Sequence, residues 1–150
     1  MFRKMWRYAA VLIVGMMVFL AAAVLDVSSR NVADGNYVIV RYLHGSFRCA
    51  SCRKIEQYTQ EALDNNFSEE FQKGKLVYKV VNVENKENAH FIEDYGLYTK
   101  SVVVALVEGG KEIKHKNLEK VWEYLGDKQK FCDYIVLETK ELLSELPEVK

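Results

Sequence analysis

Proline is nearly missing from this 150-residue chain: there is one, Pro147, in a short terminal stretch. Without proline a cis peptide bond costs about 3–4 kcal/mol, so the bond at Ser101 is expected in trans. Cysteine is scarce too. Three cysteines allow at most one disulfide within the chain, which excludes the stapled framework of a small secreted mini-protein. There is no second Cys-X-X-Cys and no His-X₃-His pair, so a closed four-ligand metal site is not encoded. A surplus of positive charge is also lacking. The whole chain carries 21 basic and 21 acidic side chains, and without Arg3, Lys4 and Arg7 the balance is 18 to 21, a net charge of about −3. That excludes the concentrated basic face that nucleic acid requires. No internal repeat and no low-complexity segment is present.

What the chain does have begins with a hydrophobic segment. Arg3, Lys4 and Arg7 precede 18 uncharged residues, Tyr8 to Leu25. That length is near the minimum for crossing the roughly 30 Å hydrocarbon core and long for a cleavable signal. The expectation for residues 1–25 is an export segment: an uncleaved transmembrane anchor with its basic end in the cytoplasm, or a signal cut near Ala23. A buried core helix is the third possibility. The segment has no cysteine to acylate. In either export reading residues 26–150 lie outside the cytoplasmic membrane, anchored through residues 8–25 or periplasmic after cleavage. Residues 26–36 are polar, with a turn signal at Asp34-Gly35, and form a spacer; 37–146 form one domain and 147–150 a tail.

Within the domain, Tyr37 to Leu43 reads as a strand covered on both faces. His44 to Arg48 is a loop. Ala50 to about Gln72 is a helix with a weak break at Asn65-Asn66, closed by Lys73-Gly74-Lys75. Leu76 to Val83 is a second strand and Asn85 to Tyr95 a second helix. Val102 to Val107 and Glu112 to His115 flank a tight turn at Gly109-Gly110 and form a hairpin. Asn117 is the expected N-cap of a helix carrying Leu118, Val121, Trp122 and Leu125; Gly126-Asp127 interrupts it before a longer amphipathic helix with Phe131, Ile135, Leu142 and Leu146. The order predicts an α/β domain with a central mixed sheet and helices on both faces.

Cys49 and Cys52 fall where the first strand gives way to a helix. Free backbone N–H groups and the positive end of the helix favour a thiolate at such a place, and a second thiol one turn on can resolve a mixed disulfide. Cys49 is the expected nucleophile and Cys52 the resolving thiol. Arg48 adds a cation beside Cys49, and Ser51 is placed to donate a hydrogen bond to its sulfur. The two sulfurs suffice for exchange with a protein thiol or disulfide, so no cofactor is expected. An alternative keeps the fold but uses Cys49, Cys52 and His44 to carry zinc or copper(I); a second makes the domain a non-catalytic subunit of a redox complex. His44 otherwise reads as a loop residue at the rim. Cys132 reads as a buried structural thiol, Trp122 as a packing anchor, and His90 and His115 as surface residues. Arg41 and Lys79 are unusual in strands read as buried; they reach solvent along their stems or pair with an acid.

A Cys-X-X-Cys after the first strand of such a unit resembles the thioredoxin-like family over residues 37 to about 125. The matching features are that strand, the cysteine pair opening a helix, Val81-Asn82-Val83-Glu84, and Tyr95-Gly96-Leu97 before the hairpin. More narrowly, Phe47 to Glu56 together with Val121 to Lys128 is similar to small exported prokaryotic thioredoxin-like proteins known as a nitrophenyl-compound nitroreductase subunit. The resemblance implies a thioredoxin-like fold and a thiol-disulfide oxidoreductase. It also exposes departures. Ser101 stands where the family has a cis-proline facing the disulfide, Leu43 where it has a buried acid, and Arg48-Cys49-Ala50-Ser51-Cys52 in place of Trp-Cys-Gly-Pro-Cys. Arg48, Ala50, Ser51 and Ser101 are then the expected substrate-contacting residues, and proton handling passes to water or Glu56.

Overall fold

The computed structural model describes residues 35–147. The hydrophobic segment expected over residues 1–25, most of the spacer and the last three residues lie outside them. Among the described residues no helix is long and apolar enough to cross a membrane.

The first strand, β1 (Tyr37–His44), runs one residue further than the apolar pattern predicts and includes His44. It leads into α1 (Ala50–Asn66), which ends at Phe67 and is followed by a short α2 (Ser68–Gln72). The predicted weak point at Asn65-Asn66 is thus a true break. Phe67 is fully buried, and seating its ring takes the backbone out of helical geometry. β2 (Leu76–Asn82) returns parallel to β1, with Val38 opposite Leu76 and His44 opposite Asn82. β3 (Ser101–Glu108) runs antiparallel on the other side of β1, with Leu43 opposite Ser101. β4 (Lys111–Asn117) completes the hairpin through Gly109 and Gly110, both at positive φ, a conformation open to glycine at little cost. The strand order is β2-β1-β3-β4.

Alternation along the central strands builds two interiors. Val38, Val40 and Tyr42 of β1 and Val102, Val104 and Leu106 of β3 pack with Ile55, Leu63 and Phe67 near α1, and with Phe131, Ile135 and Leu142 of α4 (Lys128–Ser144). On the opposite face Leu43, Val81 and Val103 pack with Tyr95 and with Phe91 of α3 (His90–Asp94). The mixed sheet with helices on both faces is therefore present, and its order with a cysteine-bearing α1 after β1 gives a thioredoxin-like fold.

Two predicted helices come out differently. The stretch Asn85 to Tyr95 forms a 3₁₀ turn, Lys86–Asn88, and then the five-residue α3. Asn88 spends its side chain on the Asn82 carbonyl at 3.0 Å, a local bond that competes with a continuous helix. Asn117 does not cap a helix but ends β4, because the next amide, Leu118 N–H, donates to Val102 O at 2.8 Å and prolongs the sheet ladder. The chain then makes two 3₁₀ turns, Glu119–Val121 and Glu123–Gly126. Asp127, read as an interruption, is the N-cap of α4: its carboxylate accepts from Lys130 N–H at 3.1 Å.

Arg41 and Lys79 are both accounted for. Arg41 donates to Tyr95 Oη at 2.7 Å and pairs with Glu112 of β4 at 2.8 Å, its guanidinium lying 5.2 Å from the Phe91 ring centre. Burial, opposed by Arg41, pushes the Tyr95 phenol well above the usual tyrosine range, so it stays neutral and bridges the ion pair. Lys79 lies exposed on β2, which is an edge strand and not a covered one. On β4 the lysines face solvent and reach α4 and its C-terminus: Lys114 pairs with Glu145 at 2.6 Å, and Lys116 with Glu138 and Glu141.

Candidate functional site

Cys49 and Cys52 are joined as a disulfide, their Cα atoms 5.1 Å apart. Cys49 is the N-cap residue of α1, with extended backbone geometry, and its sulfur accepts the Cys52 backbone N–H at 3.2 Å. The usual oxygen acceptor of an N-cap is here replaced by sulfur. A thiolate formed at this position meets an amide donor and the positive end of a 17-residue helix. Cys49 is partly exposed and Cys52 fully buried, the asymmetry that an attacking and a resolving thiol require. Tyr42, buried below, fixes the turn by donating to Cys52 O at 2.9 Å; burial raises its phenol pKa, against a lowering from Arg48.

Other expected residues take different roles. Ser51 makes no hydrogen bond to the Cys49 sulfur; the Cys52 amide occupies that place. Arg48 does not stand as a free cation. It pairs with Glu56 of α1, lies 3.2 Å from His44 Nε2, and is stacked 5.6 Å from the Tyr42 ring centre. Glu56, expected to help with protons, is held by this pair. His44 is not a loop residue but the buried end of β1. Its Nδ1 lies 2.7 Å from Gly45 O and must donate there, leaving Nε2 to accept from Arg48. With both ring nitrogens engaged, His44 is not free to complete a metal site with the cysteines. Among the described residues no three His, Cys, Asp or Glu side chains gather in a way that holds a metal ion.

Ser101 starts β3 opposite Leu43 and is buried, with its hydroxyl turned to Thr99 O at 3.0 Å. Every peptide bond among the described residues is trans, Lys100–Ser101 included. The segment before Ser101 is tied to the late part of the domain by Trp122, whose indole N–H donates to Lys100 O at 2.8 Å. Leu43 faces an apolar cluster with Val81, Tyr95 and Val103. Ala50 is exposed in the first turn of α1.

A cavity of about 310 Å³ opens between Gly45, Phe47, Glu84 and Tyr98 to Lys100; neither cysteine lines it. Phe47, two residues before Cys49, is 76% exposed, and Tyr98 is fully exposed. Sequence reasoning passed over both, since an aromatic residue in a loop carries no periodic signal. Hydrogen bonds from Ser46, and beyond them the charge of Lys100, hold the Glu84 carboxyl below the usual range, so a negative charge lies at one wall. Cys132 stands apart on α4. Its thiol is half-buried against Tyr58 O at 3.7 Å, and burial raises its pKa. His90 lies 3.9 Å from Asp94, and His115 is 3.6 Å from Glu112 and against Tyr95.

Fold and site together define a thioredoxin-like domain with an oxidised Cys-X-X-Cys pair. No family model matches the chain, and no curated protein does. Among solved structures it is similar to Plasmodium falciparum thioredoxin at 12% identity and a TM-score of 0.40, over 76% of this chain and 85% of that one. Oxidised thioredoxin O2 of Arabidopsis thaliana is 13% identical with a TM-score of 0.38, over 63% and 74% of the two chains. For oxidised mitochondrial thioredoxin 3 of Saccharomyces cerevisiae the values are 14% and 0.37, over 67% and 85%. None of these three structures carries the nitroreductase-subunit name.

Proposed function

We propose that this protein is a thiol-disulfide oxidoreductase acting on another protein. The observation that carries the reading is the disulfide between a partly exposed Cys49, seated as the N-cap of α1, and a fully buried Cys52. In the reducing direction the Cys49 thiolate attacks one sulfur of the partner's disulfide. A Cys49–partner disulfide forms, and the partner's other sulfur leaves as a thiolate that takes up a proton. The Cys52 thiol then loses its proton and attacks the Cys49 sulfur. The intramolecular disulfide forms, the partner's second sulfur leaves, and two electrons have passed to the partner. Run in reverse, the same steps oxidise a partner dithiol.

Phe47, Tyr98 and Lys100 supply the partner's contact surface in this reading, in place of the buried Ser101 side chain. The exposed aromatics border the cavity, and Lys100 lies 6.0 Å from the Phe47 ring centre. Replacing Phe47 and Tyr98 together by serine is expected to raise the KM for a protein disulfide roughly ten-fold with kcat little changed, because binding surface is lost and the sulfurs are not. Steady-state kinetics on a protein and on a small disulfide separate the two effects; an equal loss on both would place the aromatics outside partner binding.

The basic and hydrophobic segment over residues 1–25 supports placing the domain outside the cytoplasm, where protein disulfides persist. The function is tested by incubating the reduced protein with a protein disulfide and following the redox state of Cys49 and Cys52 by differential alkylation. Stoichiometric transfer to the pair is the expected result. A pair that stays reduced in the presence of protein disulfides and oxidised in the presence of dithiols would end the reading.

A further inference from the structure

The charged residue next in sequence to Cys49 is Arg48, and its surroundings set what that charge does. Glu56, two turns into α1, forms an ion pair with the guanidinium, and the two side chains are 27% and 30% exposed. His44 Nε2 faces Arg48 at 3.2 Å from β1, and the Tyr42 ring stacks on it. Tyr78 of β2 completes the surroundings: its hydroxyl reaches Glu56 O at 3.5 Å, and burial raises its pKa despite the opposing effect of Arg48. Arg48 Nε is buried without a hydrogen-bond partner, so its polar contacts to Glu56 and His44 are made by the two terminal nitrogens.

We propose that Glu56 is a positioning residue that sets the reactivity of Cys49 by holding Arg48 and cancelling its charge. This rests on the oxidoreductase reading and concerns the same site. A lone cation beside a sulfur stabilises its thiolate, whereas a cation paired with a carboxylate presents a much weaker field. In the native protein the Cys49 thiolate is therefore supported by the Cys52 amide and the helix end, with little help from Arg48. Reduction of the disulfide takes two electrons and one proton when Cys49 emerges as a thiolate and Cys52 as a thiol. Anything that stabilises that thiolate moves the equilibrium toward the reduced form. Glu56 works against this shift and keeps the pair more reducing.

The test is a Glu56→Gln variant of the full chain, equilibrated with glutathione near neutral pH. Glutamine keeps the helix propensity and removes the charge. The expected shift is about five-fold toward the reduced form, or about 20 mV for a two-electron couple, with the pH profile of Cys49 alkylation displaced to lower pH. A second variant, R48Q/E56Q, is expected to return within about two-fold of the wild-type equilibrium, since the uncompensated cation is gone. If wild-type protein exchanges normally and E56Q stays within two-fold of it, the role assigned to Glu56 is overturned. It is also overturned if E56Q and R48Q/E56Q shift equally. Wild-type protein that never exchanges overturns the oxidoreductase reading, and this inference with it.

Discussion

Turnover of a protein disulfide is expected to fall at least about 10³-fold in a Cys49→Ser variant, because a serine hydroxyl at neutral pH supplies no anionic nucleophile. The N-cap itself survives the change. Serine accepts an amide hydrogen bond at least as well as sulfur, so the Cys52 N–H keeps a partner and α1 keeps its start. The loss is then chemical and not structural, and circular dichroism should show an unchanged domain. Cys52→Ser behaves differently: the first attack proceeds, the resolving step is missing, and a Cys49–partner disulfide accumulates on non-reducing gels. Both experiments belong in a Cys132→Ser background, which removes the remaining thiol. If Cys49→Ser retains most of its activity, or if Cys52→Ser traps nothing, the assignment of attack to Cys49 and resolution to Cys52 is wrong.

The largest effect on stability is expected from Phe131→Ala, at about 3–5 kcal/mol. Phe131 is fully buried on the inner face of α4 and meets the Tyr58 ring of α1 edge to face, with centroids 5.6 Å apart. Truncation removes the ring from a cluster closed on every side by β1, β3 and the two long helices, and a close-packed interior recovers little of the space. Against a typical total of about 5–15 kcal/mol, that brings the domain near its unfolding threshold. Urea unfolding followed by fluorescence measures it. A cost under about 1 kcal/mol would mean that α4 does not pack here as described.

The sheet and the cysteine turn were legible because their signals are local. β1 and β3 announce themselves as apolar runs, and the strand-to-helix change at Cys49 is a change of period. What escaped depends on residues far apart in the chain. Nothing in Arg41 points to Glu112, which meets it only after the hairpin folds beside β1. Leu118 to Gly126 has helical spacing, yet a single long-range amide bond to Val102 commits its start to the sheet and the rest to 3₁₀ turns. At the site, the sequence places a cation beside Cys49 and an acid at Glu56 but not the pairing between them. On that pairing rests the role proposed for Glu56. His44 was misplaced for a simpler reason. The apolar pattern stops at Leu43, while the ladder to β2 continues one residue more.

A protein that exchanges disulfides with others meets partly unfolded chains, and an open sheet edge is a template on which such chains can stack. β4 forms one edge of this sheet and carries lysines at Lys111, Lys114 and Lys116, charges of the kind that make an edge a poor template. Two of them are tied to α4 and its C-terminus by acid partners. Pairing a foreign strand there would strip water from these charges and crowd the ion pairs. The sheet is thereby discouraged from growing through β4.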